Sequence, residues 1–161
     1  MDGNSRLIRS AQVGPHPDLA VLVRRHLDHP FRKPVLDYNR TACAAALAAR
    51  DAWRPGAPLI LDAGCGVGWS TQRLAQAFPD HFVFGVDQSV NRISRGKPLP
   101  MPANAVLVRA DLIDFWRLLA AAGIRLARHY NLYPNPWPKI GHLARRWHGH
   151  AVFPAWRDLG G

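Results

Sequence analysis

The chain has 161 residues with 21 Lys and Arg against 11 Asp and Glu, a formal charge of +10 before its 8 His are counted; this fits one domain with a polyanionic partner. Its 48% hydrophobic and 20% charged content excludes disorder of the whole chain, because disordered chains lack the apolar residues that offset chain entropy. No apolar run reaches the roughly 18 residues of a membrane span, and the N-terminus lacks the apolar stretch of a signal peptide, so a soluble, cytoplasmic protein without a membrane is expected.

Cys43 and Cys65 are too few for a disulfide scaffold, lack metal-ligand spacing and are expected as free thiols. Every acid is Asp, and 18 of the 21 bases are Arg. Either a coding bias that also favours Ala, Gly and Pro, or selection of Arg for forked contacts to phosphate, accounts for that. Position helps to choose. No acid stands between Asp114 and Asp158, where Arg117, Arg125, Arg128, Lys139, Arg145, Arg146 and Arg157 lie, so a basic surface is expected in the C-terminal third.

The first 16 residues, polar with Gly and Pro, read as a mobile arm. From Pro17 to Leu27 the apolar set Leu19, Leu22, Val23 and Leu27 recurs at helical spacing. After Pro30 and Pro34, the Ala-rich stretch from about Arg40 to Trp53 predicts a second helix, ended by Pro55-Gly56. Residues 1–56 are thus expected as an N-terminal arm and helices, with the chemistry in residues 57–161.

There the pattern changes to short apolar runs punctuated by Gly and Asp. Residues 58–62 read as a strand, followed by a glycine loop and a helix over 69–78. A second strand is predicted over 81–87 and a third over 104–109. Asp111 opens a helix over 112–122 that Gly123 can close. A fourth strand fits 124–133. Strands alternating with helices imply an α/β parallel sheet with right-handed crossovers and helices on both faces.

The loop spells Ala63-Gly64-Cys65-Gly66-Val67-Gly68. A glycine turn between a strand and a helix lets backbone N–H groups approach a ligand, or is simply a tight structural turn. Its spacing departs from the dinucleotide fingerprint Gly-x-Gly-x-x-Gly, which disfavours a nicotinamide-dependent dehydrogenase. Asp87 ends the second strand, where an acid can accept from both hydroxyls of a ribose. Asp111 ends the third, as an acceptor for an adenine amine, a helix N-cap, or both.

This constellation resembles class I S-adenosylmethionine-dependent methyltransferases. The resemblance implies a Rossmann-like fold in which Gly64, Gly66 and Gly68 hold the aminoacyl end of S-adenosylmethionine. Asp62 would lie near its methionine portion, Asp87 bind the ribose and Asp111 contact the adenine. A cofactor without phosphate explains a loop without Lys or Arg.

Further on, the chain reads Tyr133-Pro134-Asn135-Pro136-Trp137-Pro138-Lys139, then His142 and Arg145-Arg146. Taken alone, this is a rigid proline turn, or a turn that aims one polar residue at the crevice. With the cofactor motifs, it is similar to the tRNA (guanine-N7-)-methyltransferase family, usually Phe-Pro-Asp-Pro-Trp-x-Lys followed by His and Lys-Arg-Arg. The likeness runs from about Leu59 to Phe153. It implies tRNA as partner, Asn135 as the catalytic position, Lys139 on the RNA, and Arg145 and Arg146 on phosphates, unless that pair is only a solvated basic face. Asn135 stands where the family usually has Asp, an uncharged isostere. Trp137 and Trp147 read as core packing, with base stacking the alternative. No metal is expected: His142, His148 and His150 lie among basic and apolar residues, and the chemistry needs no metal.

Family members continue past a Gly-Gly with three more strands, whereas this chain ends at Leu159-Gly160-Gly161. The expectation is a fragment whose C-terminal strands are missing, or a protein that recruits a partner strand. Its fourth strand would be an unpaired edge, and its last helix would set Val152, Phe153, Trp156 and Leu159 on one side. Weak cofactor binding and poor methylation by the chain alone follow. A catalytically silent RNA-binding module, or a methyltransferase acting on another substrate, is the alternative.

Overall fold

Five consecutive buried residues, Leu59–Ala63, make the first strand, β1. A run without polar alternation is what a parallel strand covered on both faces requires. The computed structural model describes residues 14–95 and 100–161; most of the expected arm, residues 1–13, lies outside them. Around β1 stand β2 (Phe82–Asp87), β3 (Ala105–Arg109) and β4 (Leu126–Tyr130), in the order β3-β2-β1-β4 with every pairing parallel. This is the Rossmann-like arrangement expected from the sequence. Helices α1 (Leu19–Asp28), α2 (Asp37–Trp53), α3 (Trp69–Ala77), α4 (Val90–Arg95), α5 (Leu112–Ala121) and α6 (Phe153–Asp158) complete the described elements, with 3-10 turns at Ile140–Arg145 and Trp147–Gly149.

The chain divides into two compact units: residues up to Arg32 with Asn135–Pro154, and Lys33–Pro134 with Ala155–Gly161. In the second unit, the sheet is covered on both faces. Ile60 and Val83 pack with Ala75, Leu74 and Phe78 around α3. On the other face Trp53 of α2 meets Phe82 at 5.7 Å, and Phe115 of α5 meets Phe84 at 6.1 Å. The fully buried rings of Phe82, Phe84 and Phe115 each contribute about 2–3 kcal/mol by leaving water.

Two buried asparagines close this unit. Asn104 Nδ2 donates to the carbonyls of Ala75 at 3.0 Å and His81 at 2.9 Å, tying the end of α3 to the start of β2. Asn39, on α2, takes the Asp111 amide on Oδ1 at 2.9 Å and donates from Nδ2 to Asp114 Oδ2 at 2.7 Å. α2, expected with the N-terminal segment, is thereby bonded to α5 of the sheet's own unit.

β4 is shorter than the expected 124–133. Ile124 still donates to Leu119 O at 3.0 Å in closing α5. At the other end, Tyr133 has φ 52° and Pro134 has no N–H to give a ladder. Nor is β4 left bare: Leu126 N donates to Leu159 O at 2.8 Å. A Cβ on Gly161 would lie 2.7 Å from His129 N, so the last residues run against the strand's backbone.

In the first unit, His26 Nε2 donates to Gly149 O at 3.2 Å, and Phe31 meets His150 edge-on at 5.6 Å. Among the described residues no helix is long and apolar enough to cross a membrane.

Candidate functional site

Asp62, near the end of β1, is 1% exposed. Its Oδ2 accepts from Ser70 Oγ at 2.5 Å and Thr71 Oγ1 at 2.7 Å, both at the start of α3. Its Oδ1 is buried without a partner. Burial raises the carboxyl's pKa, and the two hydroxyls pull it part of the way back. Thr71 can reach it because Gly85, opposite Asp62 in β2, has no side chain; a Cβ there would collide with Thr71 Oγ1. Sequence reasoning passed over Gly85, although a glycine inside a strand signals such an approach.

The loop after β1 puts Gly64, Gly66 and Gly68 at φ 77°, 60° and 91°, in the left-handed region that a Cβ disfavours. Gly68 is also the N-cap of α3 and presses on Leu107, whose side chain would lie 2.8 Å from a Cβ. Above Gly64 and Gly66, by contrast, a Cβ would enter open space. The bare backbone there faces room for a ligand.

Asp87, at the end of β2, accepts the Gly66 amide on Oδ2 at 3.1 Å and the Ser89 amide on Oδ1 at 2.8 Å. The exposed Arg92 stands 3.6 Å from Oδ2. Asp111, after β3, is the N-cap of α5, its Oδ1 accepting from Ile113 N at 2.9 Å and Asp114 N at 3.3 Å. The six residues expected to hold a cofactor thus gather at the carboxyl ends of β1, β2 and β3, where open α/β sheets bind ligands. Asn39 joins them through Asp111.

The other four candidates lie in the Asn135–Pro154 segment. Asn135 and Lys139 are exposed. Trp137, half-buried at φ 41°, has the Arg145 guanidinium over its ring at 5.0 Å and His142 edge-on at 5.4 Å. Arg146 donates from Nε to Trp137 O at 3.1 Å and from Nη2 to Lys139 O at 3.4 Å, so it braces the turn's backbone. Burial, then the charges of Arg145, Lys139 and Arg146, lower the His142 pKa. Among the described residues no three His, Cys or Asp side chains converge as a metal site would need.

Residues 56–153, more than half of the chain, match the family described as "Putative methyltransferase". The chain belongs to this methyltransferase family. Among its relatives, the tRNA (guanine-N(7)-)-methyltransferase of Mycolicibacterium gilvum (strain PYR-GCK) is 35% identical over 106 residues, 60% of this chain and 40% of that one. The protein of the same name from Ruegeria sp. (strain TM1040) is 34% identical over 122 residues, 74% of this chain and 42% of that one. That from Treponema pallidum (strain Nichols) is 26% identical over 135 residues, 73% and 54% respectively. The chain spans about half the length of the curated relatives it matches.

Neither cysteine of this methyltransferase chain is a nucleophile at neutral pH. Both thiols are free and buried. Burial, with the Asp62 and Asp87 charges, pushes Cys65 up to about 12, and burial pushes Cys43 up to about 11.

Proposed function

We propose that the chain carries the cofactor- and RNA-binding core of a tRNA (guanine-N7-)-methyltransferase of the cytoplasm, with residues 57–161 as that core and residues 1–56 as the arm and helices preceding it. The observation that carries the reading is the buried, unpartnered Oδ1 of Asp62 beside a glycine loop with open space above Gly64 and Gly66. An orphaned buried oxygen costs about 1–3 kcal/mol unless a ligand donor satisfies it. An ammonium on the ligand's amino-acid end would do so.

S-adenosylmethionine fits that donor set. Its aminoacyl end would lie on Gly64, Gly66 and Gly68 near Asp62. Its ribose hydroxyls would use the remaining lone pairs of Asp87, and its adenine amine would donate to Asp111 Oδ2. When bound, the cofactor supplies an electrophilic methyl group on a sulfonium. The substrate reading draws on the names of the relatives, the +10 charge and the Arg-rich segment after β4.

Guanine N7 has an in-plane lone pair that forms the new N–C bond while the electrons of the broken C–S bond stay on sulfur. No proton leaves, so no general base is required. The protein's part is alignment: Asn135 holds the guanine edge through its amide, Lys139 meets the RNA, and Arg145 and Arg146 supply salt-sensitive phosphate contacts. The deep, narrow major groove of A-form RNA requires that the guanine be splayed out.

Purified chain, labelled S-adenosylmethionine and unmodified tRNA test the reading. Label at N7 of one guanine is expected, at a low rate for this chain alone. Label on another nucleotide, or none despite cofactor binding, would reject it. The substitution of Asn for Asp at position 135 favours one rival, a silent RNA-binding module.

A further inference from the structure

Tyr133 is 99% exposed, and its backbone sits at φ 52°. A ring wholly in water gains nothing from folding, and left-handed backbone disfavours a bulky side chain. Neither packing nor conformational preference explains a tyrosine where Gly or Asn would relieve the strain. Leu132, before it, is exposed as well. Trp69 repeats the anomaly: the first residue of α3 places a large aromatic 51% in solvent.

The sheet sets the segments that carry these two aromatics at the carboxyl ends of neighbouring strands. β1 and β4 are parallel neighbours with Asp62 opposite Tyr130. Their carboxyl ends lead into the segments that carry Trp69 and Tyr133. With the order β3-β2-β1-β4, that edge is also where the crossovers part in opposite directions, the crevice in which α/β sheets bind ligands.

We propose that Tyr133 and Trp69 form a stacking clamp that grips a splayed-out purine at the mouth of the β1/β4 crevice. The clamp rests on the RNA substrate of the preceding reading and names how that substrate is held. Stacking engages the two faces of a base and leaves its edge free in the plane, where N7 lies. It is tolerant of base identity and repays the unstacking needed to extrude a nucleotide.

The test is a stem–loop RNA with 2-aminopurine in its loop, titrated with the full chain, because stacking on an aromatic ring quenches that fluorophore. Wild type is expected to quench strongly. Tyr133→Ala and Trp69→Ala should each lose most of the quench and bind about tenfold more weakly. Tyr133→Phe should match wild type, since the ring and not the hydroxyl acts. Affinity of Tyr133→Ala for S-adenosylhomocysteine and its melting temperature should not change, since the side chain lies in solvent. A Tyr133→Ala protein that quenches and binds like wild type overturns the clamp alone. A wild type that binds cofactor but no RNA overturns the clamp together with the substrate reading.

Discussion

The Gly66 amide donates to Asp87 Oδ2 at 3.1 Å, so the loop after β1 is latched to the end of β2. The other oxygen of that carboxylate is held by Ser89 N at 2.8 Å. The acid proposed to meet the ribose therefore also sets the shape of the loop proposed to meet the aminoacyl end. Asp87→Asn keeps one acceptor oxygen for two amides and turns an NH2 toward the other. A loss of about 1–2 kcal/mol in stability is expected, with at least a tenfold weaker S-adenosylhomocysteine affinity by calorimetry. Unchanged affinity would mean that the latch is structural only.

Asn39→Ala should be more damaging than its place in an Ala-rich helix suggests. It strips the buried Asp114 Oδ2 of its 2.7 Å donor, leaving it the Leu36 amide at 3.1 Å, and takes the acceptor from the part-buried Asp111 amide where α2 meets α5. Leaving a buried carboxylate short of donors costs about 2–3 kcal/mol. Urea denaturation measures this, and a cost below about 0.5 kcal/mol would show that water replaces the amide without loss.

Residues 59–63, 64–68 and 82–87 were legible because a strand buried on both faces is a continuous apolar run, and the turn that follows needs residues without Cβ. Asp111 was legible for the same reason as any N-cap. Asn39 was not: one polar residue among alanines looks like a solvated position, and its partners lie 72 and 75 residues further along. The α4 helix, Val90–Arg95, has too few turns to show a period. The end of β4 was overrun because Asn131-Leu132-Tyr133 carries strand-like apolar residues, while their pairing depends on a backbone angle that no composition reveals. That Arg146 also braces the carbonyls of Trp137 and Lys139 was not legible, because a carbonyl brace and a solvated base are identical in sequence.

Arg145 and Arg146 should separate on substitution. Arg145 is exposed and lies over Trp137; Arg145→Ala is expected to lower the slope of log affinity against log salt for tRNA by about one with little change in stability. Arg146 holds the carbonyls of Trp137 and Lys139. Arg146→Ala should lower the salt slope as well and in addition cost about 1–2 kcal/mol of stability. Identical melting temperatures for the two variants would contradict the assignment.

His129 makes stability fall on mild acidification. Its Nε2 accepts the Trp116 indole N–H at 3.1 Å, so the proton is on Nδ1, and Trp156 packs at 5.3 Å on its ring. Burial lowers its pKa from 6.5 to about 4. Between those values the unfolded chain binds the extra proton, so stability is full above about pH 6.5, declines as pH falls and levels off below about 4, a loss of at most about 3 kcal/mol. Urea midpoints between about pH 7 and 5, above the range of ordinary carboxylates, measure the slope. His129→Gln, which keeps an acceptor for Trp116, should reduce it, leaving the part due to His142 and His148, whose pKa values are also lowered.

Asn135→Asp tests whether the chain is a weakened enzyme. Transfer of a methyl cation equivalent to N7 leaves a positive charge on the guanine ring. A carboxylate held at the base edge would stabilise that charge as it develops, where an amide offers only a dipole. Asn135 is exposed, so solvent screens the added charge and limits the gain to about 1 kcal/mol, roughly fivefold in kcat/KM. Single-turnover methylation of unmodified tRNA, with cofactor affinity measured alongside, should show that rise without tighter cofactor binding. Unchanged RNA affinity with no turnover in either form would instead identify a module that binds RNA and leaves its bases untouched, because a site short only of charge regains activity when the charge is supplied.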